Sequence, residues 1–246
     1  MRVGLFVPCY VDQCYPQVAI ATLQVLERAG CAVACPAEQT CCGQPMANAG
    51  YAATSIPAME HFVSCFAPYD YVVAPSGSCV AHVRDHYDLL PQTDAVRHVR
   101  AHTFELCQFL TEVLDVTDLG ARFPHRVGLH HGCHGLRMLG LARPSEVQAQ
   151  PFDRVRQLLA RVDGLELCEL DRPDECCGFG GTFAVTEAAV SVKMGQDRIR
   201  DHVRHGAEFI TSTDMSCLMH LEGLIRRQHL AVGVRHVAEI LNAGER

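Results

Sequence analysis

Two short stretches carry the residues best suited to chemistry: Thr40-Cys41-Cys42-Gly43-Gln44-Pro45 and Glu175-Cys176-Cys177-Gly178-Phe179-Gly180-Gly181. Adjacent cysteines are a poor packing choice, because neighbouring side chains diverge and one apolar surface rarely takes both thiols. They are also a poor disulfide, since a bond between neighbours closes a strained ring at an unsuitable Cα separation. Adjacent thiolates can instead reach different irons of one cluster, and the glycine that follows lets backbone approach the inorganic core. The motif occurs twice in the same kind of context, which makes it far more specific than a single copy.

The bulk properties narrow the setting. At 246 residues the chain can build one large domain or two smaller ones with a real core. A net charge of −7 argues against a nucleic-acid surface. Met1 to Val7 runs straight into a strand-like segment and lacks the apolar region and cleavage site of a secretory signal. No apolar run is long enough to span a bilayer. The expectation is a soluble, cytoplasmic protein. Fourteen cysteines are many for this length, and a disulfide scaffold is usually short and secreted, so metal or redox use is expected.

The elements that must position these residues repeat. Val3 to Val7 reads as a buried strand ending at Pro8-Cys9. A helix through Val18 and Leu26, a strand from Cys31 to Cys35, and the loop with Cys41-Cys42 follow. Next come a helix over Ile56 to Phe66, a strand over Tyr71 to Ala74, and a helix starting at Cys79. A further helix is predicted over Thr103 to Leu114, and Asp118 to His125 reads as a connection. The second half repeats this order. Arg126-Val127-Gly128-Leu129 leads to Cys133, Leu165 to Cys168 precedes Cys176-Cys177-Gly178, and Glu208-Phe209-Ile210 leads to Cys217. The pattern predicts an α/β chain made of two pseudo-symmetric parallel βαβ units, at 1–119 and 120–246, from an internal duplication. In such units ligands gather beyond the carboxyl ends of the strands, where the repeated cysteines fall.

The duplication also sorts the cysteines. Cys9, Cys41, Cys42 and Cys79 have counterparts in Cys133, Cys176, Cys177 and Cys217. Cys14, Cys31, Cys35, Cys65, Cys107 and Cys168 do not. Cys65, for example, faces Val203 by repeat position. Such thiols suit ordinary buried positions. Four thiolates per half is the ligand count of an iron–sulfur cluster of the [4Fe–4S] type. It is also that of a tetrahedral Cys₄ zinc site. Adjacent cysteines favour a cluster, because two neighbours on one small ion strain the backbone.

The doubled pattern, Cys…Cys-Cys-Gly…Cys, resembles the cysteine-rich CCG-domain family. That family includes the heterodisulfide reductase B subunit and the iron–sulfur subunit of glycolate oxidase. The closer resemblance is to its lactate-utilization members. It rests on Cys41 to Pro45, Pro75-Ser76-Gly77-Ser78-Cys79, Cys133-His134-Gly135-Leu136-Arg137, Cys176 to Phe183 and Thr213 to His220, and covers nearly the whole chain. The resemblance implies an iron–sulfur electron-transfer subunit of cytoplasmic L-lactate oxidation to pyruvate. It also implies one cluster per repeat and two partner proteins of the same operon, one of them a further iron–sulfur protein. Reductase-type members have another cysteine three residues before the last. Here those positions are Ser76 and Asp214, which weighs against a five-cysteine site. A thiol–disulfide redox subunit and a zinc-bearing structural subunit are the alternative readings.

Several further residues have both a functional and a plain reading. His82 and His220 follow the last cysteine of each half by three residues and could bond a cluster sulfur, or simply lie on a helix surface. His130, His131 and His134 surround Cys133 and occur only in the second half, where Phe6, Val7 and Tyr10 are their repeat positions. They suit a proton or substrate role, or packing beside the cluster. Arg137 could clamp a carboxylate or be an ordinary surface residue. Gly178-Phe179-Gly180-Gly181 lacks the spacing of a dinucleotide loop. No catalytic acid–base arrangement stands out.

Overall fold

The computed structural model describes residues 1–244. The first half runs β1 (Arg2–Leu5), α1 (Cys9–Cys14), α2 (Pro16–Arg28), β2 (Ala32–Ala34), α3 (Gln44–Asn48), α4 (Ala52–Phe66) and β3 (Tyr71–Ala74). It continues through α5 (Gly77–His86), α6 (Asp94–His102), β4 (Thr103–Glu105) and α7 (Leu106–Gln108), then a π-helical turn, Phe109–Val113. The second half runs β5 (Arg126–Leu129), a π-helical turn His134–Met138, α8 (Arg154–Leu159), β6 (Glu166–Leu167), α9 (Phe183–Thr186) and α10 (Ala188–Arg204). It ends with β7 (Phe209–Ser212), α11 (Met215–Arg227), β8 (Gly233–His236) and α12 (Val237–Leu241).

Each half contains one four-stranded sheet, in the orders β2-β1-β3-β4 and β6-β5-β7-β8, and every pairing is parallel. The registers correspond as well: Val3 pairs with Tyr71 as Val127 pairs with Phe209. The α/β class and the paired units expected from the repeat are therefore present. Short strands with consecutive buried residues, such as Val72-Val73-Ala74, suit parallel sheets covered on both faces. A Cβ at Gly4 would lie 2.9 Å from Phe66 Cδ1, and one at Gly128 would lie 2.1 Å from His202 Nδ1. Glycine at the middle of β1 and β5 thus lets α4 and α10 lie directly on the sheet.

One apolar core joins the sheets. Val3, Leu5, Val73 and Leu106 belong to the same buried cluster as Val127, Leu129, Val237 and Leu241. Helix α2 packs on α12, and α7 packs on α8, so each half lends a helix to the other. At the centre, Ser76 and Asp214 form an antiparallel bridge with each other. These two are repeat counterparts, so the bridge is a self-complementary contact of the kind a pseudo-two-fold axis makes. No helix among the described residues is long and apolar enough to cross a membrane.

Two expectations need correction. The helix predicted over Thr103 to Leu114 is a strand, β4, followed by a helical turn and a π-helical turn. Its edge position beside β3 satisfies the backbone of Thr103, Phe104 and Glu105 through the sheet. The repeat register on the long helices also shifts. Ser55 of α4 contacts the added Cβ of Gly43, and Ser191 of α10 contacts that of Gly178, so the two serines correspond. Cys65 therefore opposes Asp201, not Val203.

Candidate metal centre

The same elements deliver the same sulfurs in both halves. Cys9 opens α1 just after β1, and Cys133 immediately precedes the turn after β5. The Cys-Cys-Gly loops follow β2 and β6. Cys79 and Cys217 are the third residues of α5 and α11. The caps of those two helices occupy the positions of the missing fifth cysteines. Ser76 Oγ accepts from Cys79 N–H at 3.3 Å, and Asp214 Oδ1 accepts from Ser216 N–H at 3.2 Å. Asp214 also reaches across the axis, accepting from Ser78 N–H at 2.7 Å, while Gly77 N–H donates to the Thr213 carbonyl at 3.3 Å. Ser76 and Asp214 are committed to capping and to joining the halves.

The Cys-Cys-Gly loops are fixed from behind. Gly43 and Gly178 adopt φ of +91° and +88°, in the left-handed region that favours glycine. A Cβ at Gly178 would sit 2.6 Å from the Ser191 carbonyl oxygen. Ser191 Oγ donates to the Gly178 carbonyl at 2.7 Å, and Tyr87 Oη donates to the Cys42 carbonyl at 2.9 Å. This turn aims backbone N–H groups at sulfur. Gly43 donates to Cys41 Sγ and Gly178 to Cys176 Sγ, both at 3.4 Å, and Phe179 donates to Cys177 Sγ at 3.5 Å.

The sulfurs of each half lie close enough to shift one another's titration. Cys41 lies between Cys42 and Cys9, with Cys79 beyond Cys42. Cys176 lies between Cys133 and Cys177, with Cys217 beyond Cys177. Thiols donated by Cys42 and Cys9 pull Cys41 down to about 2, and those of Cys133 and Cys177 do the same to Cys176. Their neighbours Cys9, Cys42, Cys133 and Cys177 are pushed up, first through the same hydrogen bonds and then through burial. Cys41 and Cys176 are thus the sulfurs whose thiolate form the surroundings favour most, which suits thiols placed to ligate a cation. Among the described residues, the only ligand triple with cysteines whose atoms all lie within 4.8 Å of one another is His130, Cys177 and Cys217. The quartets are strung out rather than gathered about one point.

All eight repeated cysteines line one cavity of about 470 Å³ between the halves. None of the other six cysteines lines it. Of these, Cys31, Cys65, Cys107 and Cys168 are buried in the fold, while Cys14 and Cys35 are exposed. Tyr10, Phe179, Val185 and Met219 make part of the cavity wall apolar, and Gln44, His134 and Asp214 supply polar atoms.

The remaining candidates separate clearly. Burial pushes His82 and His130 down to about 4 and 3, so both rings are neutral, and neither has a hydrogen-bond partner within the protein. His220 donates to the Ser191 carbonyl at 3.3 Å. His131 pairs with Asp153 at 3.0 Å. His134 reaches the cavity, 3.5 Å from Gln44 Nε2. Arg137 is held by Glu146 at 2.7 and 3.3 Å and does not line the cavity. Sequence reasoning missed Ser55, Ser191 and Tyr87 as supports of the loops. It also missed buried Arg198 and His202; all five lie on elements without a repeated cysteine or well away from it.

A duplicated α/β fold that turns two thiol quartets toward one cavity defines a cysteine-rich, metal-binding class of protein. The profile of the CCG family, the "Cysteine-rich domain", matches residues 3–84 and 127–222, and the chain belongs to that family. It is 43% identical over 250 residues to Lactate utilization protein A of Exiguobacterium sp., covering 99% of this chain and 98% of that one. It is 40% identical to the protein of that name from Halalkalibacterium halodurans, over 100% and 98% of the two chains. It is also 40% identical to the one from Geobacillus kaustophilus, over 99% of each.

Proposed function

We propose that this chain is the iron–sulfur electron-transfer subunit of a system that oxidises L-lactate to pyruvate. The observation that carries the reading is the pair of sulfur quartets facing one cavity, in a chain similar from end to end to proteins named for lactate utilization. Cys9, Cys41, Cys42 and Cys79 would hold one cluster, and Cys133, Cys176, Cys177 and Cys217 the other. A bound cluster supplies one-electron transfer. The residues of the chain hold the sulfurs and donate N–H groups from Gly43, Gly178 and Phe179 to them. The strung-out spacing supports a cluster over a single zinc ion, because a Cys₄ zinc site needs all sulfurs about 3.8 Å apart.

The hydroxy acid is held elsewhere. Arg137 and Arg172, each four residues from a repeated cysteine in sequence, are paired with Glu146 and Glu175, and no arginine lines the cavity. Removing two electrons and two protons from lactate requires an acceptor and a base on a partner. Two partner proteins, one carrying further iron–sulfur centres, complete the system. The test is anaerobic purification with iron, zinc and acid-labile sulfide analysis, followed by lactate-dependent dye reduction. About eight irons per chain are expected, with turnover only after the partners are added. Stoichiometric zinc without iron, or robust turnover by the isolated chain, refutes the reading.

A further inference from the structure

The helix register established by Ser55 and Ser191 exposes a difference that the cysteine pattern hides. Behind the first quartet, Phe6 meets Phe62 and Phe66 edge-on, with centroids 4.9 and 5.8 Å apart, and Phe62 and Phe66 lie tilted at 4.6 Å. The corresponding positions behind the second quartet hold His130, Arg198 and His202. Phe6 and His130 each follow the first strand of their half directly. Phe66 and His202 each cover the glycine of that strand. Phe62 and Arg198 stand one turn earlier on α4 and α10. All six side chains are at most 2% exposed. Three phenylalanines fill this space in the first half, so packing alone does not call for polar groups in the second.

The polar replacements are largely uncommitted. Both ring nitrogens of His130 and of His202, and Nε and Nη2 of Arg198, have no hydrogen-bond partner within the protein. Arg198 Nη1 donates to Asp201 at 3.1 Å and to the Arg172 carbonyl. Asp201 also accepts from the N–H groups of Asp171 and Arg172, each at 3.1 Å, and lies 3.6 Å from His205. Glu175, paired with Arg172 at 2.7 Å, also acts electrostatically on Arg198. The Asp201 carboxylate is thus satisfied by several donors, while much of the guanidinium is left free. A ring nitrogen of His130 lies within 4.8 Å of both Cys177 and Cys217 Sγ. The first half has one comparable ring, His82, which is also buried and without a partner. Each quartet therefore has one free imidazole. Beyond it the first half presents phenyl rings and the Tyr87 phenol, whose hydroxyl is spent on the Cys42 carbonyl, whereas the second presents imidazole and an Asp201-paired guanidinium.

We propose that His130, Arg198 and His202 raise the reduction potential of the centre held by Cys133, Cys176, Cys177 and Cys217 above that of the first-half centre. A single electron added to the chain then resides on the second half. The inference rests on the iron–sulfur reading above. Reduction adds one negative charge. Fixed N–H donors and a guanidinium in a low-dielectric interior stabilise that charge, and phenylalanine rings do not. His130 needs no added proton for this role, since the neutral ring still has one N–H to direct at sulfur.

The test is a potentiometric titration, followed by electron paramagnetic resonance, of the anaerobic iron-loaded full chain. Cys79→Ser and Cys217→Ser, each removing one centre, assign the two signals. The second-half signal is expected at the higher potential. His130→Phe, which copies the first half, should move that signal to lower potential and leave the first-half signal in place. Arg198→Phe combined with Asp201→Cys copies the first-half pair without stranding a buried carboxylate, and should move it the same way. Signals that titrate together, a higher first-half potential, or an iron-replete His130→Phe protein with unshifted potentials would overturn the proposal. If a variant loses iron, the order of the two potentials in the parent chain decides. A chain that binds no iron refutes the functional reading itself, whereas an iron-loaded chain with the reverse order refutes only this inference.

Discussion

Gly178→Ala should be far more damaging than Gly43→Ala, although the two glycines occupy the same place in the repeat. Both have φ near +90°, so an alanine at either pays about 1–2 kcal/mol for left-handed backbone. Their surroundings differ. At Gly43 the new Cβ would meet Ser55 Cβ at 3.2 Å and the Ser55 carbonyl oxygen at 3.4 Å, contacts that a shift of a few tenths of an ångström relieves. At Gly178 it would lie 2.6 Å from the Ser191 carbonyl oxygen and 2.8 Å from Met194 Cβ, so backbone must move. Overpacking of this kind costs about 1–3 kcal/mol. Displacement also threatens the 2.7 Å bond from Ser191 Oγ to the Gly178 carbonyl, worth about 1 kcal/mol. The expected losses are about 1–2 kcal/mol for Gly43→Ala and about 3–6 kcal/mol for Gly178→Ala. Urea unfolding of both variants under reducing, anaerobic conditions measures this, and metal content per chain reports the sites. Equal losses, or a greater loss for Gly43→Ala, would show that the geometric argument is wrong.

Asp214→Ala removes the cap of α11 and the acceptor for Ser78 N–H, and should cost about 2–4 kcal/mol by the same unfolding measurement. Burial holds Glu105 up at about 8, so the folded chain keeps a proton that the unfolded chain releases. That contribution is full below the ordinary carboxylate range and is lost as pH rises toward 8. Stability should fall across that window by on the order of a few kcal/mol, and Glu105→Gln should flatten the profile. Cys176→Ser should strip iron from the second half while Cys65→Ser leaves it bound, as iron analysis of the purified variants will show.

Much of the site was legible because the chain carries its own alignment. Cys9, Cys41, Cys42 and Cys79 recur in order, and β1, β3, β5 and β7 are short strands with apolar centres, each followed within five residues by a cysteine. The edge strands were harder. Thr103–Glu105 passes into α7 without a turn residue, and the helical periodicity of the following segment reads back through it. The meeting of both quartets at one cavity depends on the bridge between Ser76 and Asp214, which no local pattern signals. Arg198 and His202 read as ordinary polar residues of an amphipathic helix. Setting α10 against α4 in the right register, where Phe62 and Phe66 stand, is the signal that would have found them.

The core shared by the two sheets bears on how the protein comes to hold a metal at all. A ribosome delivers the first half before the second exists, and the remaining residues take on the order of ten seconds to emerge. During that interval Val3, Leu5, Val73 and Leu106 lack half of their packing partners, and Ser78 lacks Asp214. Cys9, Cys41, Cys42 and Cys79 then have only first-half supports, such as Tyr87 on the Cys42 carbonyl and Ser76 on Cys79 N–H. Their geometry matures only when the last strand, β8, and helix α12 close the structure. Metal binding at the upstream site should then wait on completion of the polypeptide, and a truncated product should lose the upstream site together with the downstream one.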